Sequence, residues 1–163
     1  MVSLLSARTR LLEKLKIKQP HVESGEHLSK LVMYCSKLAH SCVEKAAMIA
    51  MVKIRHLDTD ENFSLRGSTL EEAVESDKSL GLIPFFVSTT FGTTSCCSFD
   101  NLQEIGQICN SQHIYMHVDG AYAGSALACE EFRPLIEGLE VRQLFFMVYV
   151  QEFFMICIRQ YSK

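Results

Sequence analysis

Residues 81–140 read GLIPFFVSTTFGTTSCCSFDNLQEIGQICNSQHIYMHVDGAYAGSALACEEFRPLIEGLE, and this stretch decides the fold. It contains a continuously apolar strand candidate, residues 82–88, then a helical pattern, then a second apolar strand candidate, residues 114–118. An acid, Asp119, follows the second strand directly and is itself followed by small residues. Small residues let a ligand approach the backbone closely, and α/β sheets bind ligands where their strands end. We therefore expect a buried acid in a ligand site at this position.

The rest of the chain alternates between helical and strand-like patterns. Leucines at helical spacing between basic residues predict an N-terminal amphipathic helix that Pro20 ends at the latest. Two short strands are predicted at residues 31–35 and 52–56, with a helix at residues 40–51 between them. This alternation predicts an α/β fold with a mostly parallel sheet and helices on both faces.

Local signals set the boundaries of three further elements. Ser68 and Glu71 have the spacing of a capping box, which predicts a helix start at Ser68. Asp100 followed by Gln103 predicts the cap of the next helix in the same way. Because proline cannot donate to a sheet, Pro84 leads us to expect that the strand in residues 82–88 begins after it.

The composition limits the class of protein. The chain has 163 residues, 48% of them hydrophobic, and a net charge of −3, which gives no electrostatic reason to expect nucleic acid or an anionic membrane as a partner. The apolar run at residues 144–158 contains Gln151 and Glu152 and is shorter than the roughly 20 apolar residues of a spanning helix. We expect a globular protein with one core and no membrane insertion.

The cysteines indicate a reducing compartment. Seven are scattered along the chain without a C-x-x-C pair, and the odd number argues against a full set of disulfides. Structural zinc needs closely spaced ligand pairs, so no metal site is expected. We predict reduced thiols and a cytoplasmic location.

Four stretches resemble one known family. They are HSCVEKA at residues 40–46, GLIPFFVSTTFGTTSCCSFDNL at residues 81–102, HVDGAYAGSA at residues 117–126 and CEEFRPLIEGLE at residues 129–140. Together they resemble the group II pyridoxal-phosphate-dependent decarboxylases, and CCSFD favours the aromatic-L-amino-acid decarboxylases among them. The resemblance implies the large domain of a fold type I enzyme in residues 1–140, pyridoxal phosphate as cofactor, an aromatic L-amino acid as substrate, and a homodimer.

The resemblance also implies roles for four residues. Asp119 matches the carboxylate that keeps the cofactor ring nitrogen protonated, which makes the ring a stronger electron acceptor. His40 matches the histidine that stacks on one face of the ring and helps position the substrate, and Ala121 matches the residue on the opposite face. Thr94 matches a threonine that forms hydrogen bonds near the cofactor or the substrate carboxylate.

Each of these residues also has a purely structural interpretation. Asp119 and Thr94 are common turn residues, and His40 stands where a helix cap or a surface histidine is expected. His117 alternates with Asp119 on one strand face, so it either supports Asp119 through a hydrogen bond or packs in the core. The residues themselves leave these alternatives open.

After Glu140 the chain departs from the family. Residues 141–163, VRQLFFMVYVQEFFMICIRQYSK, resemble nothing in it, and the Asn-Pro-His-Lys-Trp motif with the cofactor-binding lysine is missing, its place falling near Gln151. We expect an incomplete large domain followed by a divergent tail, and no activity of the chain alone. The alternative is a non-catalytic fragment that pairs with full-length decarboxylase subunits, which co-purification with such a subunit would reveal.

Overall fold

The computed structural model describes residues 1–136 and the backbone of residues 144–149 and 155–158. The strands are β1 Leu31–Ser36, β2 Lys53–Leu57, β3 Ile83–Thr90, β4 Tyr115–Asp119, β5 Leu144–Tyr149 and β6 Met155–Ile158. They form one six-stranded sheet in the order β2-β1-β3-β4-β5-β6. The pairs from β2 to β5 are parallel, and β6 is antiparallel to β5. The predicted mostly parallel sheet is confirmed.

Helices cover both faces of this sheet. They are α1 Val2–Lys18, α2 Ser24–Lys30, α3 Ser41–Ala50, α4 Gly67–Ser79 and α5 Leu102–Gln112, followed by 3-10 helices at Ala123–Ala128 and Glu130–Ile136. On one face, α1 and α3 join a buried cluster in which Ala47 packs with Phe86 of β3. On the other face, Val74 and Ile105 belong to a cluster with Val87 of β3. Each fully buried large apolar side chain contributes about 1.5–3 kcal/mol, so β3 is stabilised from both faces.

The strand order reverses direction between β1 and β3. From β1 the chain crosses through α3 to β2 on one side, and then through α4 to β3 on the other side. Right-handed crossovers in opposite directions put α3 and α4 on opposite faces, which leaves a crevice at the carboxyl ends of β1 and β3. This crevice is the standard place for a ligand in an open α/β sheet.

Most predicted elements agree with the structure. The first helix ends at Lys18, before Pro20, and the strands predicted at residues 31–35, 52–56 and 114–118 begin and end within one residue of β1, β2 and β4. The sequence patterns do not predict α2, a helix of 7 residues. Helices this short receive most of their stability from tertiary packing, which local sequence patterns do not report.

Two predicted helix caps are wrong. The N-cap of α4 is Arg66, and Ser68 is an exposed residue inside the helix. Glu104 of α5 reaches across to accept a hydrogen bond from the Gly67 amide at 3.0 Å and pairs with the Arg66 guanidinium. A carboxylate from another helix therefore satisfies a free amide at the start of α4, and the helix begins one residue before Ser68.

The cap of α5 is Asn101, one residue after the predicted Asp100. The Asn101 side chain accepts from the Glu104 amide at 3.0 Å. The carboxylate of Asp100 is buried and accepts hydrogen bonds from two other segments of the chain instead. Both residues are good caps, so only the tertiary partners of Asp100 decide between them.

The strand containing Pro84 begins before the proline, at Ile83, contrary to prediction. The register with β1 shifts here, because Val32 pairs with Pro84 whereas Met33 pairs with Phe86. A bulge of this kind tolerates a residue that has no amide hydrogen, as proline does.

A polar contact crosses the apolar layer under α4. The Tyr34 hydroxyl of β1 donates to Asp77 Oδ2 at 2.8 Å, and Arg55 of β2 lies 2.5 Å from Asp77 Oδ1. Asp77 is only 4% exposed. The burial of Tyr34 is the main reason that its pKa is raised, and the hydrogen bond to Asp77 is the second reason. Asp77 therefore satisfies two buried or half-buried donors from neighbouring strands at once.

We expect Asp77→Ala to lower the free energy of unfolding by about 2–4 kcal/mol, because it leaves a buried hydroxyl and a half-buried guanidinium without their acceptor. Tyr34→Phe should lower it by about 1 kcal/mol, since Asp77 keeps its arginine. Urea unfolding measures both changes. The matched control is Asp58→Ala, which removes an exposed ion pair with Lys37 and should change stability by less than about 1 kcal/mol. Equal effects at Asp77 and Asp58 would contradict this account.

Candidate functional site

All four predicted site residues lie at the carboxyl edge of the sheet. His40 follows β1, Thr94 follows β3, and Asp119 is the last residue of β4, with Ala121 in the turn after it. Since β1, β3 and β4 are neighbours in the sheet, their carboxyl ends are adjacent. The structure therefore brings the four residues to one edge, at the crevice described above.

His40 is the N-cap of α3. Its backbone is extended, and its Nδ1 accepts a hydrogen bond from the Cys42 amide at 3.2 Å. Because Nδ1 acts as the acceptor, the proton of the neutral ring is on Nε2. The capping interpretation is thus correct, and it also fixes the orientation of an exposed imidazole at the crevice.

Asp119 is half-buried, less deeply than the sequence led us to expect. Its Oδ1 accepts from the Ala121 amide at 3.0 Å, which stabilises the turn after β4. Among the described residues, no donor forms a hydrogen bond with Oδ2. The carboxylate therefore forms a turn with one oxygen and can accept from a ligand with the other.

The first turn of α3 lies near Asp119. Burial, and after it the negative charge of Asp119, raise the pKa of the Cys42 thiol. Cys42 also supplies the backbone amide that donates to His40 Nδ1 and so holds the ring. Cys42 thus contacts His40 through its backbone and feels the charge of Asp119 through its side chain, which the sequence analysis did not foresee.

The loop that carries Thr94 packs closely against the turn after β4. Gly92 has φ +88°, and a Cβ built on it would lie 2.5 Å from the Cβ of Ala123. Further along, Thr93 Oγ1 accepts from the Ser98 amide at 3.0 Å, and the Thr93 amide donates to the Ser98 carbonyl at 2.9 Å. This closed loop leaves Thr94 exposed at the edge of the sheet.

His117 packs against an aromatic side chain of the core. Its ring lies 6.0 Å from that of Phe86, with 30° between the two planes. This contact supports the packing interpretation of His117. Its hydrogen bond to Asp119 stays a prediction.

The close contact at Gly92 was not predicted, although the sequence contains a local signal for it. A glycine between Phe91 and Thr93, at the end of an apolar strand, is typical of a tight turn or a close approach of two backbones. Nothing local marks Cys42 as a partner of His40 and Asp119, because that relation arises from the packing of α3 on the sheet.

Comparison with known proteins identifies the family. The profile of the pyridoxal-dependent decarboxylase conserved domain matches residues 1–147. The aromatic-L-amino-acid decarboxylase of Sus scrofa is 52% identical over 145 residues, which cover 89% of this chain and 30% of that protein. The histidine decarboxylase of Drosophila melanogaster is 48% identical over 140 residues, covering 86% of this chain and 16% of that protein. This chain belongs to the pyridoxal-dependent decarboxylase family, and it spans less than a third of the length of these relatives.

Solved structures agree with this assignment. The tryptophan decarboxylase of Catharanthus roseus, in complex with L-tryptophan, has a TM-score of 0.79 and 33% identity, covering 94% of this chain and 32% of that one. The Oryza sativa TDC with PLP and tryptamine has a TM-score of 0.76 and 27% identity, covering 91% of this chain and 31% of that one. The fold is therefore that of the fold type I pyridoxal-phosphate enzymes.

The residues present fit pyridoxal phosphate, the cofactor of this family. A protonated ring nitrogen needs a carboxylate acceptor, and Asp119 Oδ2 is such an acceptor. A flat ring needs a planar group and a small side chain around it, and His40 and Ala121 have these properties. All three residues are at the same edge of the sheet, next to the first turn of α3.

We expect Gly92→Ala to lower the free energy of unfolding more than Gly81→Ala does. Both glycines have positive φ, +88° and +74°, but a Cβ at Gly81 meets nothing within 4 Å. The positive φ alone costs about 1–2 kcal/mol, and the contact with Ala123 should add about 1–3 kcal/mol. Urea unfolding compares the two variants. If they are equally stable, the Thr94 loop does not pack against Ala123 as described.

We expect Cys96 to be the most reactive exposed thiol of the Thr94 loop. Hydrogen bonds with Ser98 and Thr93 lower the pKa of Cys96 to about 7. Its alkylation by iodoacetamide should therefore reach half its maximal rate near pH 7, as read by peptide mass spectrometry. Thr93→Val should move this midpoint upward, and Cys97→Ser serves as the control that leaves it in place. A midpoint above pH 8 in the unmodified chain would contradict the prediction.

Proposed function

We propose that this chain is part of a pyridoxal-phosphate-dependent carboxy-lyase that converts aromatic L-amino acids, such as L-dopa and 5-hydroxytryptophan, to amines. The observation that carries the proposal is the carboxylate of Asp119, which lies at the end of β4 beside the first turn of α3 with Oδ2 available to a ligand. When bound, pyridoxal phosphate supplies an electron sink for the carbon that loses carbon dioxide.

Asp119 would act as the acceptor for the ring nitrogen. Its Oδ1 is already engaged by the Ala121 amide, so the carboxylate has a fixed orientation. A fixed acceptor needs no reorganisation when charge develops during the reaction, which is why such groups stabilise transition states. The proposed role of Asp119 is to keep a proton on that nitrogen.

His40 would cover one face of the ring and position the substrate. The Cys42 amide holds Nδ1, so Nε2–H is the atom with which His40 can donate a hydrogen bond. Ala121 would cover the opposite face, where a larger side chain would compete with the ring for space. Thr94, exposed on its closed loop, would donate to the cofactor or to the substrate carboxylate.

The assignment of a substrate class has less support than the assignment of the family. The Sus scrofa and Drosophila melanogaster relatives are named for different substrates, yet their identities with this chain are 52% and 48%. The stretch CCSFD at residues 96–100 favours the aromatic class, and it lies in the loop that carries Thr94. We therefore propose aromatic L-amino acids as the substrates and, with them, a role in catecholamine biosynthesis.

We further propose a cytoplasmic homodimer that requires a lysine from outside the matched segment. Six described cysteines, from Cys35 to Cys129, are free thiols, as in a reducing compartment. Within the described residues, no helix has both the length and the apolar character to cross a membrane. Residues 141–163 lack the Asn-Pro-His-Lys-Trp motif, and Gln151, where its lysine would fall, lies outside the described residues. The chain alone should accordingly have no decarboxylase activity.

The test replaces the matching segment of the Sus scrofa aromatic-L-amino-acid decarboxylase with residues 4–140 of this chain. We expect this chimera to release carbon dioxide from L-dopa, and Asp119→Asn to lower kcat by roughly 10²–10³-fold, because an amide cannot stabilise the protonated ring as a carboxylate does. Near-normal turnover in Asp119→Asn would remove Asp119 from the mechanism.

Two controls accompany this comparison. Asp58→Asn changes an exposed carboxylate on the loop after β2 and should leave turnover unchanged. Thermal unfolding of the chimera and of Asp119→Asn separates a loss of chemistry from a loss of fold. A chimera that decarboxylates L-histidine in preference to L-dopa would overturn the substrate class while leaving the reaction type intact.

A further inference from the structure

The carboxylate of Asp100 joins separate segments of the chain. It is 4% exposed, and it accepts from the Leu65 amide at 3.0 Å through Oδ1 and from the Thr90 amide at 2.7 Å through Oδ2. The backbone repeats both links, since the Asp100 amide donates to the Thr90 carbonyl at 3.0 Å and the Asn101 amide to the Leu65 carbonyl at 3.0 Å. One side chain thus ties the end of β3 and the segment before α4 to the start of α5.

These links close the base of the loop that carries Thr94. Residues 91–99 begin directly after Thr90 and end directly before Asp100, and Phe91 and Phe99 pair across the base with ring centroids 4.7 Å apart. The two side-chain hydrogen bonds of Asp100 add to the backbone links at this base, so the stability of the base depends in part on whether this carboxylate holds both amides.

Protonation changes what the Asp100 carboxyl can accept. An ionised carboxylate accepts at both oxygens, but a carboxylic acid carries a hydrogen on one oxygen, and that hydrogen would face an amide hydrogen. One of the two amides must then lose its partner in a buried place, where an unpaired donor is costly. The ionised form therefore favours the two-amide arrangement over the protonated form.

The surroundings of Asp100 place this change in an accessible range of pH. Burial raises the pKa of Asp100 to about 6, and the two amides oppose the shift. Cys35 of β1 lies near Asp100. Burial, and after it the negative charge of Asp100, raise the pKa of Cys35 to about 12, so this thiol stays neutral. From α4 and α5, Arg66 and Glu104 pair with each other, and Asp60 pairs with the same arginine.

We propose that Asp100 is a proton-operated clamp on the Thr94 loop, which holds residues 65 and 90 when it is ionised and releases one of them when it is protonated. The clamp itself is independent of the proposed function. Its consequence rests on that function: a loosened Thr94 loop would weaken the grip on the cofactor or substrate in mild acid.

The sign of the stability change distinguishes this clamp from acid unfolding. The folded-state pKa of Asp100, about 6, lies above the usual value of 3.8. The contribution of this group to folding is therefore fully present below about pH 4 and is lost as the pH rises through about 6. Below about pH 6, protonation of Asp100 loosens the base of the Thr94 loop. The same protonation raises the free energy of unfolding of the whole chain, because the folded state binds this proton more tightly than the unfolded state does.

Hydrogen exchange of the 163-residue chain tests the proposal. Protection of the amides in residues 90–99, corrected for intrinsic exchange, should fall about tenfold between pH 7.5 and pH 5, the factor expected for one hydrogen bond. Asp100→Asn cannot accept at both positions, so its loop should be loose at both pH values. Asp60→Asn is the matched control, because Asp60 also accepts from two amides, those of Asn62 and Ser64, while its pKa is lowered.

A second measurement needs no variant and covers the case in which Asp100→Asn does not fold. The ¹³C carboxyl shift of Asp100 should titrate with the same midpoint as the exchange of the loop amides. Loop protection that does not change between pH 5 and 7.5, or a transition that persists in Asp100→Asn, overturns the clamp. A chimera of residues 4–140 that does not bind pyridoxal phosphate, while the exchange transition remains, counts against the proposed function and leaves the clamp standing.

Discussion

The parallel pairing of β3 with both β1 and β4 is the constraint on which the rest of the structure depends. β3 contributes apolar side chains to both buried clusters, through Phe86 on one face and Val87 on the other. Because its neighbours run in the same direction, the carboxyl ends of all three strands meet at one edge. Any change in this pairing would separate His40, Thr94 and Asp119, which are far apart in sequence.

Polar groups at that edge perform two tasks at once. His40 caps α3 with Nδ1 and presents Nε2–H, and Asp119 stabilises its own turn with Oδ1 and presents Oδ2. A side chain whose one polar atom is engaged by the backbone has fewer conformations to lose when a ligand binds. The local structural interpretations of these residues are therefore part of the site and do not compete with it.

The loop between β3 and α5 joins the two halves of this edge. Gly92 allows the loop to contact the turn after β4, and Asp100 fixes its base to the segment before α4. Thr94 lies between these two attachments. The geometry of the site thus depends on tertiary contacts of residues that do not themselves touch a ligand.

The sequence by itself determined the α/β class and the positions of β1, β2 and β4, and its resemblance to the family indicated the candidate site residues. Apolar strand patterns and turn residues act locally, so residues 114–118 and Asp119 could be interpreted without knowing their neighbours. The resemblance to the family, and not these local patterns, implied the fold type I large domain. The predicted boundaries were wrong where tertiary contacts intervened, as Glu104 does at the start of α4 and the register shift does at Pro84.

Only the tertiary structure decided which polar residues are paired. Asp100 and Asn101 are equally good caps by sequence, and the amides of Leu65 and Thr90 draw Asp100 into the interior. Pro84 lies inside β3 because the register shift opposite Val32 accommodates it. In each case the deciding partner is distant in the chain, and the free energy of a buried hydrogen bond depends on that partner and not on the local sequence.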